Sequence, residues 1–271
     1  MDNRPIGVFD SGLGGLTAVQ ALRELLPDEN IIYFGDTARM PYGTKSVKAL
    51  RQMAQQDMEF LDSLGVKAII AACGTVSSTA ADVLSSFHLP VFNVVDSSVH
   101  AMSAVEGSAP LGIIATSASI KSRVFKNRIS HKCPGRAVIA LPCQDFVELI
   151  ESGHSSAKDP LVRRSVAKNL TPMAENGVCA LLLGCTHFGY LSQAIHNYLG
   201  EDVQLISASR CAAESLKVYL TAQKMTGGSG ETLYYTSGST EEFTEHASRL
   251  LGCSIAGQVR SIAPMEVDED L

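Results

Sequence analysis

The chain has no apolar run that approaches the roughly 18 consecutive residues needed by a membrane-spanning helix. Its 271 residues are 45% hydrophobic and 18% charged, the composition of an ordinary globular protein. The first residues, MDNRP, lead directly into a predicted strand and lack the basic segment and apolar stretch of a signal peptide. We therefore expect a cytoplasmic protein that has no membrane partner.

Clusters of basic residues and paired cysteines are also missing. Lys and Arg number 22 against 28 Asp and Glu, a net charge of −6 that argues against a nucleic-acid surface but leaves room for a small anionic substrate. The seven cysteines are an odd number and include no Cys-x-x-Cys pair, and no His-x-x-x-His spacing accompanies them. A disulfide framework and a structural zinc site are both disfavoured, and we expect no metal.

Two glycine-rich segments lack the spacing of nucleotide-binding loops. The turn at residues 10–15 would need glycine at position 17 for a dinucleotide fingerprint, and Thr17 stands there. In the loop at residues 35–46, a threonine separates Gly43 from Lys45, which a phosphate-binding loop requires to be adjacent. We expect no nucleotide cofactor. The first turn still exposes N–H groups at a helix start, which suits a carboxylate or phosphate, and the second is expected to form a wall of a site.

Apolar strands and amphipathic helices alternate along the chain, which predicts an α/β protein with parallel sheets, more naturally as two domains than one. Strands are predicted at residues 6–9, 31–34, 91–95, 111–115, 137–141, 203–206 and 233–236. Helices are predicted at residues 16–26, 99–105, 119–129, 144–151, 161–175 and 211–224, and a last helix is capped by Ser239 and Glu242. Another helix has the face Leu50, Met53, Asp57, Leu61 and Leu64, with one polar interruption. Residues 226–230 form a flexible loop, and the acidic residues 266–271 are expected to be a solvated tail.

Two apolar runs end in a cysteine followed by small polar residues. They are residues 66–75 (VKAIIAACGT) and 178–187 (VCALLLGCTH), and they deliver Cys73 and Cys185 to the ends of buried strands. Ligands of open α/β sheets bind beyond the carboxyl ends of the strands, so the two tips suggest one shared crevice. Free cysteine is usually a core residue, and core packing is what we expect for Cys133, Cys143, Cys179, Cys211 and Cys253.

The two strand-end thiols suit proton transfer. A polar environment lowers the pKa of a thiol from about 8.5 toward neutrality, and acid–base catalysis works best with a pKa near the working pH. Two thiols on opposite sides of a substrate carbon could remove a proton from one face and return one to the other, which inverts a stereocentre without a cofactor. His187 could support this chemistry, or could pair with a nucleophilic Cys185 as in a hydrolase if a turn brings the two side chains together.

Four motifs in order resemble the signatures of glutamate racemases: residues 9–16 (FDSGLGGL), 33–43 (YFGDTARMPYG), 72–75 (ACGT) and 184–187 (GCTH). The similarity covers nearly the whole chain. It implies a two-domain α/β fold with pseudo-symmetric halves, each a mostly parallel sheet flanked by helices, and an active site between them. The first domain would comprise residues 1–96 and 208–271, and the second residues 97–207. The implied activity is cofactor-independent interconversion of L- and D-glutamate for peptidoglycan synthesis, and homodimers are common in such enzymes.

The resemblance also implies residue roles. Cys73 and Cys185 would exchange protons with opposite faces of the α-carbon, assisted by Asp10 and His187, and Glu151 matches an acidic position near the second thiol through a weaker motif. Substrate contacts are implied for Asp10, Ser11, Tyr42, Gly43, Gly74, Thr75, Thr186 and His187. Each role has a purely structural alternative: a helix cap for Asp10 and Ser11, loop packing for Tyr42, a satisfied core histidine for His187, and a surface helix residue for Glu151.

The chain departs from the family pattern most clearly at Gly74, where the family normally has asparagine. Losing one hydrogen bond to a charged group costs about 1.5–3 kcal/mol, or roughly ten- to a hundredfold in binding. Further departures are Gly189 for a common proline, Ser207 for a usual aspartate, and residues 95–98 for an acid-proline-glycine turn. These departures leave two alternatives to a glutamate racemase. One is a related enzyme that acts on aspartate or another acidic substrate, and the other is a non-catalytic binding or regulatory relative. On this basis we expect Gly74→Asn to improve the Michaelis constant for glutamate.

Overall fold

Residues 1–267, which the computed structural model describes, form two β-sheets flanked by α-helices. The strands are β1 (Ile6–Asp10), β2 (Ile31–Gly35), β3 (Ala68–Ala71), β4 (Val91–Asn93), β5 (Leu111–Ala115), β6 (Val138–Pro142), β7 (Ala180–Leu183), β8 (Gln204–Ser207), β9 (Thr232–Thr236) and β10 (Val259–Ser261). The helices are α1 (Leu16–Leu25), α2 (Val47–Ser63), α3 (Gly74–Thr79), α4 (Ala81–Ser86), α5 (Val94–Ser103), α6 (Ser117–Ser122), α7 (Val124–Lys132), α8 (Gln144–Glu151), α9 (Pro160–Glu175), α10 (Ser192–Leu199), α11 (Ala208–Ala222) and α12 (Thr240–Leu251). Short 3₁₀ turns follow β2 and β7.

The two sheets repeat one strand order. Within the described residues, the first sheet runs β10-β9-β2-β1-β3-β4 and the second runs β6-β5-β7-β8, with every pair parallel. If β5 is matched to β1, the second sheet reproduces the β2-β1-β3-β4 portion of the first. The two strands that precede the strand-end cysteines, β3 and β7, therefore hold equivalent positions. The expected α/β fold with two pseudo-symmetric, mostly parallel sheets is confirmed.

Burial on both faces explains why the central strands read as apolar runs. All five residues of β1 and of β5 are buried, as parallel strands covered on both sides require. One apolar core cluster joins the sheets, since it contains Ile70 of β3, Leu182 of β7 and Leu216 of α11. Helix α11 returns the chain from the second sheet to the first, where β9 and β10 add to the edge next to β2.

The domain limits given above remain a prediction. The predicted grouping of residues 1–96 with 208–271 agrees with the membership of β9 and β10 in the first sheet. The predicted limit at residue 96 lies inside α5 rather than in a linker.

Three predicted elements have the wrong bounds, namely the strand at 91–95 and the helices at 99–105 and 119–129, and one strand was not predicted. The strand predicted at 91–95 ends at Asn93, because the Asn93 side chain accepts a hydrogen bond from the N–H of Asp96 and starts α5 there instead of at residue 99. The single helix predicted at 119–129 is two helices, separated by Arg123 in a left-handed conformation with φ of 58°. Strand β10 was missed, since it is a three-residue edge strand without an apolar pattern. The helix at residues 144–151 and the Ser239 cap of α12 are confirmed.

Among residues 1–267, no helix is long and apolar enough to cross a membrane. Residues 268–271, the end of the predicted acidic tail, lie outside the described residues. All seven cysteines are free. Core packing is confirmed for Cys143 and Cys211 but is wrong for Cys253, which is exposed on the surface.

Candidate active site

A cavity of about 330 Å³ lies between the two sheets at the carboxyl ends of their strands. The loops after β1, β2 and β3 form one wall, and those after β5, β6 and β7 form the other. Every residue predicted for the site lines it: Asp10, Ser11, Tyr42, Gly43, Cys73, Gly74, Thr75, Glu151, Cys185, Thr186 and His187. The repeated strand order thus brings both cysteine-bearing strand ends to one crevice, as expected for α/β sheets.

Cys73 lies directly after β3, at the start of α3, and only 5% of its surface is exposed. Its thiol donates toward the hydroxyl of Ser11, with 3.7 Å between Sγ and Oγ. Burial and the neighbouring Asp10 carboxylate raise the pKa of Cys73 to about 12, against opposing backbone N–H groups and the Ser11 hydroxyl. Cys73 is therefore a protonated thiol at neutral pH and can act as a proton donor.

Cys185 follows β7 in a different setting, because His187 belongs to the same turn. The Sγ atom lies 3.8 Å from His187 Nδ1. On the other side of the ring, His187 Nε2 lies 3.3 Å from Glu151 Oε1, an ion-pair distance without the geometry of a hydrogen bond. The turn that a Cys185–His187 pair requires is thus present, and Glu151 on α8 reaches the histidine.

The electrostatics of His187 favour the imidazolium. Burial alone lowers the pKa of a histidine, but the interactions with Cys185 and Glu151, and then the charge of Asp10, outweigh burial and raise the pKa of His187 to about 10. At neutral pH the ring carries a proton on both nitrogens and supplies the counter-ion that a thiolate at Cys185 would need.

Asp10 ends β1 and is 1% exposed. Its Oδ1 accepts from the N–H of Gly12 at 2.9 Å, and its Oδ2 accepts from the Thr186 hydroxyl at 3.3 Å. Burial raises the pKa of this carboxyl, and the charge of His187 opposes the shift. Asp10 therefore binds the glycine-rich turn but does not cap α1, whose N-cap residue is Gly15 and has no side-chain hydrogen bond. It also connects the first sheet to the Thr186–His187 turn of the second.

The glycine-rich turn is used differently from what its sequence suggested. A Cβ atom on Gly14 would lie 2.3 Å from Thr186 Oγ1 and 2.4 Å from His187 Nδ1, closer than real Cβ atoms approach. Glycine at this position lets the second sheet's turn pack directly on the first sheet's backbone. Close approach, more than the supply of N–H donors, is the reason for glycine here.

The Tyr42 hydroxyl is engaged by two buried carboxyl groups. The residue is 2% exposed, and its hydroxyl donates to Asp36 Oδ2 and lies 3.1 Å from Asp57 Oδ2. The loop-packing alternative therefore describes the side chain, and a substrate contact from this residue would have to come from its backbone.

The cavity wall also contains residues that the sequence reasoning missed. They follow β5 and β6 and comprise Thr116, Ser117, Ala118, Ser119 and Gln144. Thr116 caps α6 by accepting from the N–H of Ser119. The sequence could have indicated these residues as part of the site, because they follow predicted apolar strands just as Asp10 and Cys73 do.

Gly74 lies against the opposite wall. A Cβ atom there would be 2.8 Å from the carbonyl oxygen of Gly184, a backbone atom of the second sheet. The residues next to the two cysteines thus touch across the crevice only because position 74 has no side chain. An asparagine here would require the two sheets to separate locally, which reverses the expectation that Gly74→Asn improves glutamate binding.

Comparison with known proteins agrees with this geometry. The model of the Asp/Glu/Hydantoin racemase family matches residues 16–216. A glutamate racemase of Picosynechococcus sp. is 38% identical over 251 residues, covering 92% of this chain and 88% of that protein. The crystal structure of glutamate racemase from Francisella tularensis in complex with D-glutamate matches with a TM-score of 0.86 at 36% identity, covering 97% of this chain and 99% of that chain. A glutamate racemase isoform from Bacillus anthracis matches with a TM-score of 0.89 at 29% identity, covering 98% and 100%. With its two strand-end cysteines in one cavity, the chain belongs to the Asp/Glu/Hydantoin racemase family and, within it, to the glutamate racemases.

Proposed function

We propose that this protein interconverts L- and D-glutamate by proton transfer between the substrate α-carbon and two cysteines, without a cofactor. The observation that supports this most strongly is the placement of Cys73 and Cys185 at equivalent strand ends of the two sheets, on one cavity. A racemase needs one acid–base group for each face of a planar intermediate, and the repeated strand order supplies one per sheet.

In the proposed reaction, a thiolate on one side of the substrate removes the α-proton, and the electron pair of the broken C–H bond delocalises into the α-carboxylate. The thiol on the other side then gives its proton to the opposite face and becomes a thiolate. One C–H bond is broken and one is formed, so no electrons leave the substrate. Proton transfer by a positioned group of this kind contributes typically about 10²–10⁴-fold to a rate.

The two thiols have different partners, which is the basis for giving them different roles. Cys73, near the Asp10 carboxylate, is the protonated acid. Cys185, with the His187 imidazolium at 3.8 Å, is the proposed base, and Glu151 and Asp10 hold that imidazolium in place. For the reverse direction, the proton must first move from Cys73 to the Cys185 side, so Cys73 then serves as the base.

The substrate carboxylates are proposed to bind at the small polar residues of the cavity. Ser11, Thr75 and Thr186 offer hydroxyl groups, and Gly43 and Gly74 leave backbone free to approach a ligand. All of these residues line the same cavity as the two thiols.

The wider setting is also a proposal. The protein would act in the cytoplasm, supply D-glutamate for peptidoglycan synthesis and form a homodimer. Its curated relatives are glutamate racemases from bacteria such as Picosynechococcus and Syntrophus aciditrophicus.

Aspartate is a second candidate substrate because of Gly74. The Gly74–Gly184 approach narrows the crevice beside Cys73, which would favour an acid one methylene shorter than glutamate. One methylene in a pocket is worth roughly 1–3 kcal/mol of discrimination, so the preference is measurable.

The test is to incubate the protein with D- or L-glutamate, and then with D- or L-aspartate, in deuterium oxide. Circular dichroism follows the loss of the ellipticity of the starting enantiomer, and NMR follows exchange of the α-proton. We expect racemisation and exchange with glutamate. Racemisation of aspartate alone would select the second candidate, and no exchange with either amino acid would contradict the proposed function and favour a non-catalytic relative.

A further inference from the structure

A set of buried charged side chains lies behind the cavity wall formed by the loop between β2 and α2. We call Asp36, Arg39 and Asp57 the buried charge cluster. Asp36 and Asp57 have no exposed surface, and Arg39 is 8% exposed. Arg39 Nε donates to Asp36 Oδ2 at 2.5 Å, and Arg39 Nη2 donates to Asp57 Oδ1 at 2.7 Å. Burying such groups is costly unless they are paired and hydrogen-bonded, so their place next to the cavity calls for an explanation.

Asp57 is the polar interruption in the apolar face of α2. Its neighbours on that face, Leu50, Met53 and Leu61, belong to the core cluster beneath the first sheet. An apolar residue at position 57 would continue this packing. The carboxyl therefore serves something other than the helix itself.

Tyr42 connects the cluster to the cavity. Its hydroxyl donates to Asp36 Oδ2 and lies 3.1 Å from Asp57 Oδ2, while Tyr42 and Gly43 both line the cavity. A long, rigid ring thus connects Asp57 on a helix to the wall that faces the substrate. Movement of the hydroxyl end would move the backbone end.

The other hydrogen bonds of the cluster are made with residues that do not line the cavity. Arg39 Nη1 donates to Gln56 Oε1 at 2.5 Å and to the carbonyl of Met265 at 3.3 Å. The Ser237 hydroxyl donates to Asp36 Oδ1 at 2.7 Å. With its guanidinium occupied in this way, the cluster is suited to hold the loop rather than to bind an anionic substrate.

The charges of the cluster do not balance if both carboxyls are ionised, since there is one guanidinium for two carboxylates. Burial, and then the charge of Asp36, raise the pKa of Asp57 well above its usual range. This shift in the pKa of Asp57 favours the neutral acid, which can accept from Arg39 on one oxygen and share a hydrogen with Tyr42 on the other. An asparagine side chain has the same shape, and its amide can likewise accept one hydrogen bond through the oxygen and donate another through the nitrogen.

We propose that Asp57 is a positioning residue: acting through the Tyr42 hydroxyl, it fixes the Tyr42–Gly43 wall of the cavity and so sets the affinity for glutamate. The statement about affinity rests on the proposed function. The statement about the loop does not.

The experiment compares Asp57→Ala, Asp57→Asn, Tyr42→Phe and the Asp57→Ala/Tyr42→Phe double variant in steady-state kinetics. The matched control is Asp62→Ala, an acidic residue of the same helix that is partly exposed and pairs with the exposed His88. A lost hydrogen bond of this kind corresponds to roughly a tenfold change in an equilibrium. We expect KM for glutamate to rise about tenfold in Asp57→Ala and in Tyr42→Phe, with kcat within about threefold of the wild type.

Three further outcomes separate positioning from a general loss of stability. Asp57→Asn is expected to restore KM to within about threefold of the wild type, since it keeps both hydrogen bonds. In the double variant the two effects should not add, because both remove the same connection. Asp62→Ala should leave KM unchanged. Wild-type KM in Asp57→Ala, or additive effects in the double variant, would overturn the proposal.

A readout without substrate keeps the inference distinct from the proposed function. Hydrogen–deuterium exchange of the peptide covering residues 40–46 should be faster in Asp57→Ala than in Asp57→Asn or Asp62→Ala. If the wild type fails to exchange the α-proton of glutamate, the proposed function is wrong, and this measurement still decides the positioning role. If exchange of the peptide is the same in all variants, Asp57 does not hold the loop.

Discussion

His187 Nδ1 lies 3.8 Å from Cys185 Sγ, whereas the Cys73 thiol donates toward the Ser11 hydroxyl at 3.7 Å. One thiol therefore has a cationic partner that can hold or return a proton, and the other has a neutral hydroxyl and a nearby carboxylate. The two equivalent strand ends therefore place their thiols in chemically different surroundings.

Each cysteine is expected to be essential for racemisation. Cys73→Ser and Cys185→Ser should each lower kcat by about 10³-fold or more, because a serine hydroxyl is far less acidic than a thiol and cannot serve as the second acid–base group. The measurement is circular dichroism with each glutamate enantiomer. Near-normal racemisation in either variant would exclude the two-base mechanism.

Replacement of His187 should affect the two reaction directions unequally. His187→Asn removes the charged partner of Cys185 and should lower kcat by about 10²-fold in the direction that starts with Cys185 as the base. In the direction that starts at Cys73, kcat should fall less, and KM should change in parallel, because the equal free energies of the enantiomers keep kcat/KM the same in both directions. Full time courses from D-glutamate and from L-glutamate measure both, and equal losses would show that His187 does not act on one thiol.

The protonated His187 also predicts a pH dependence of stability. Because its folded-state pKa is raised to about 10 from an ordinary value near 6.5, its stabilising contribution is complete below about pH 6.5 and is lost as pH rises through about 10. The difference in unfolding free energy between the wild type and His187→Asn should therefore shrink over that interval. Urea titrations at pH 6, 8 and 10 measure it, and a constant difference would mean that the histidine is neutral in the folded state.

Side chains at Gly74 are expected to be harmful. Gly74→Ala and Gly74→Asn both place a Cβ atom 2.8 Å from the Gly184 carbonyl oxygen, so the crevice must open before the substrate is held. Overpacking of this kind costs typically about 1–3 kcal/mol, and we expect kcat/KM for glutamate to fall about tenfold in both variants. If Gly74→Asn binds glutamate better than the wild type while Gly74→Ala does not, the amide contact outweighs the steric cost.

The exposed Cys253 should react first with a thiol reagent. Iodoacetamide is expected to modify Cys253 while activity remains, because this exposed residue does not line the cavity and the proposed catalytic thiols are 5% and 8% exposed. Peptide mapping against residual activity tests the order, and Cys253→Ser is the control. Inactivation before Cys253 is labelled would mean that the crevice opens widely in solution.

Much of the fold could be predicted from the sequence because the central strands are buried on both faces. That burial makes β1 and β5 uninterrupted apolar runs, and the small polar residues after them mark the strand ends. Cys73 and Cys185 were found in the same way. The start of α5 was misplaced because Asn93 was read as strand rather than as a cap.

What could not be predicted depends on contacts between distant parts of the chain. The closeness of Gly74 to Gly184, and of Gly14 to His187, arises only when the two sheets meet. The direction of the Tyr42 side chain depends on Asp36 and Asp57, and nothing in the local pattern separates a ring that faces a cavity from one that is turned inward.

The repeated strand order has a consequence for how such a protein can treat mirror-image molecules evenly. A single protein surface is chiral, because it is built from L-amino acids, and it therefore binds two enantiomers differently. Two copies of one structural unit, facing each other across a crevice, offer a related surface to each side of a flat carbon. Handedness is then balanced by the architecture, and small differences such as the histidine beside Cys185 determine how far kcat differs between the two directions.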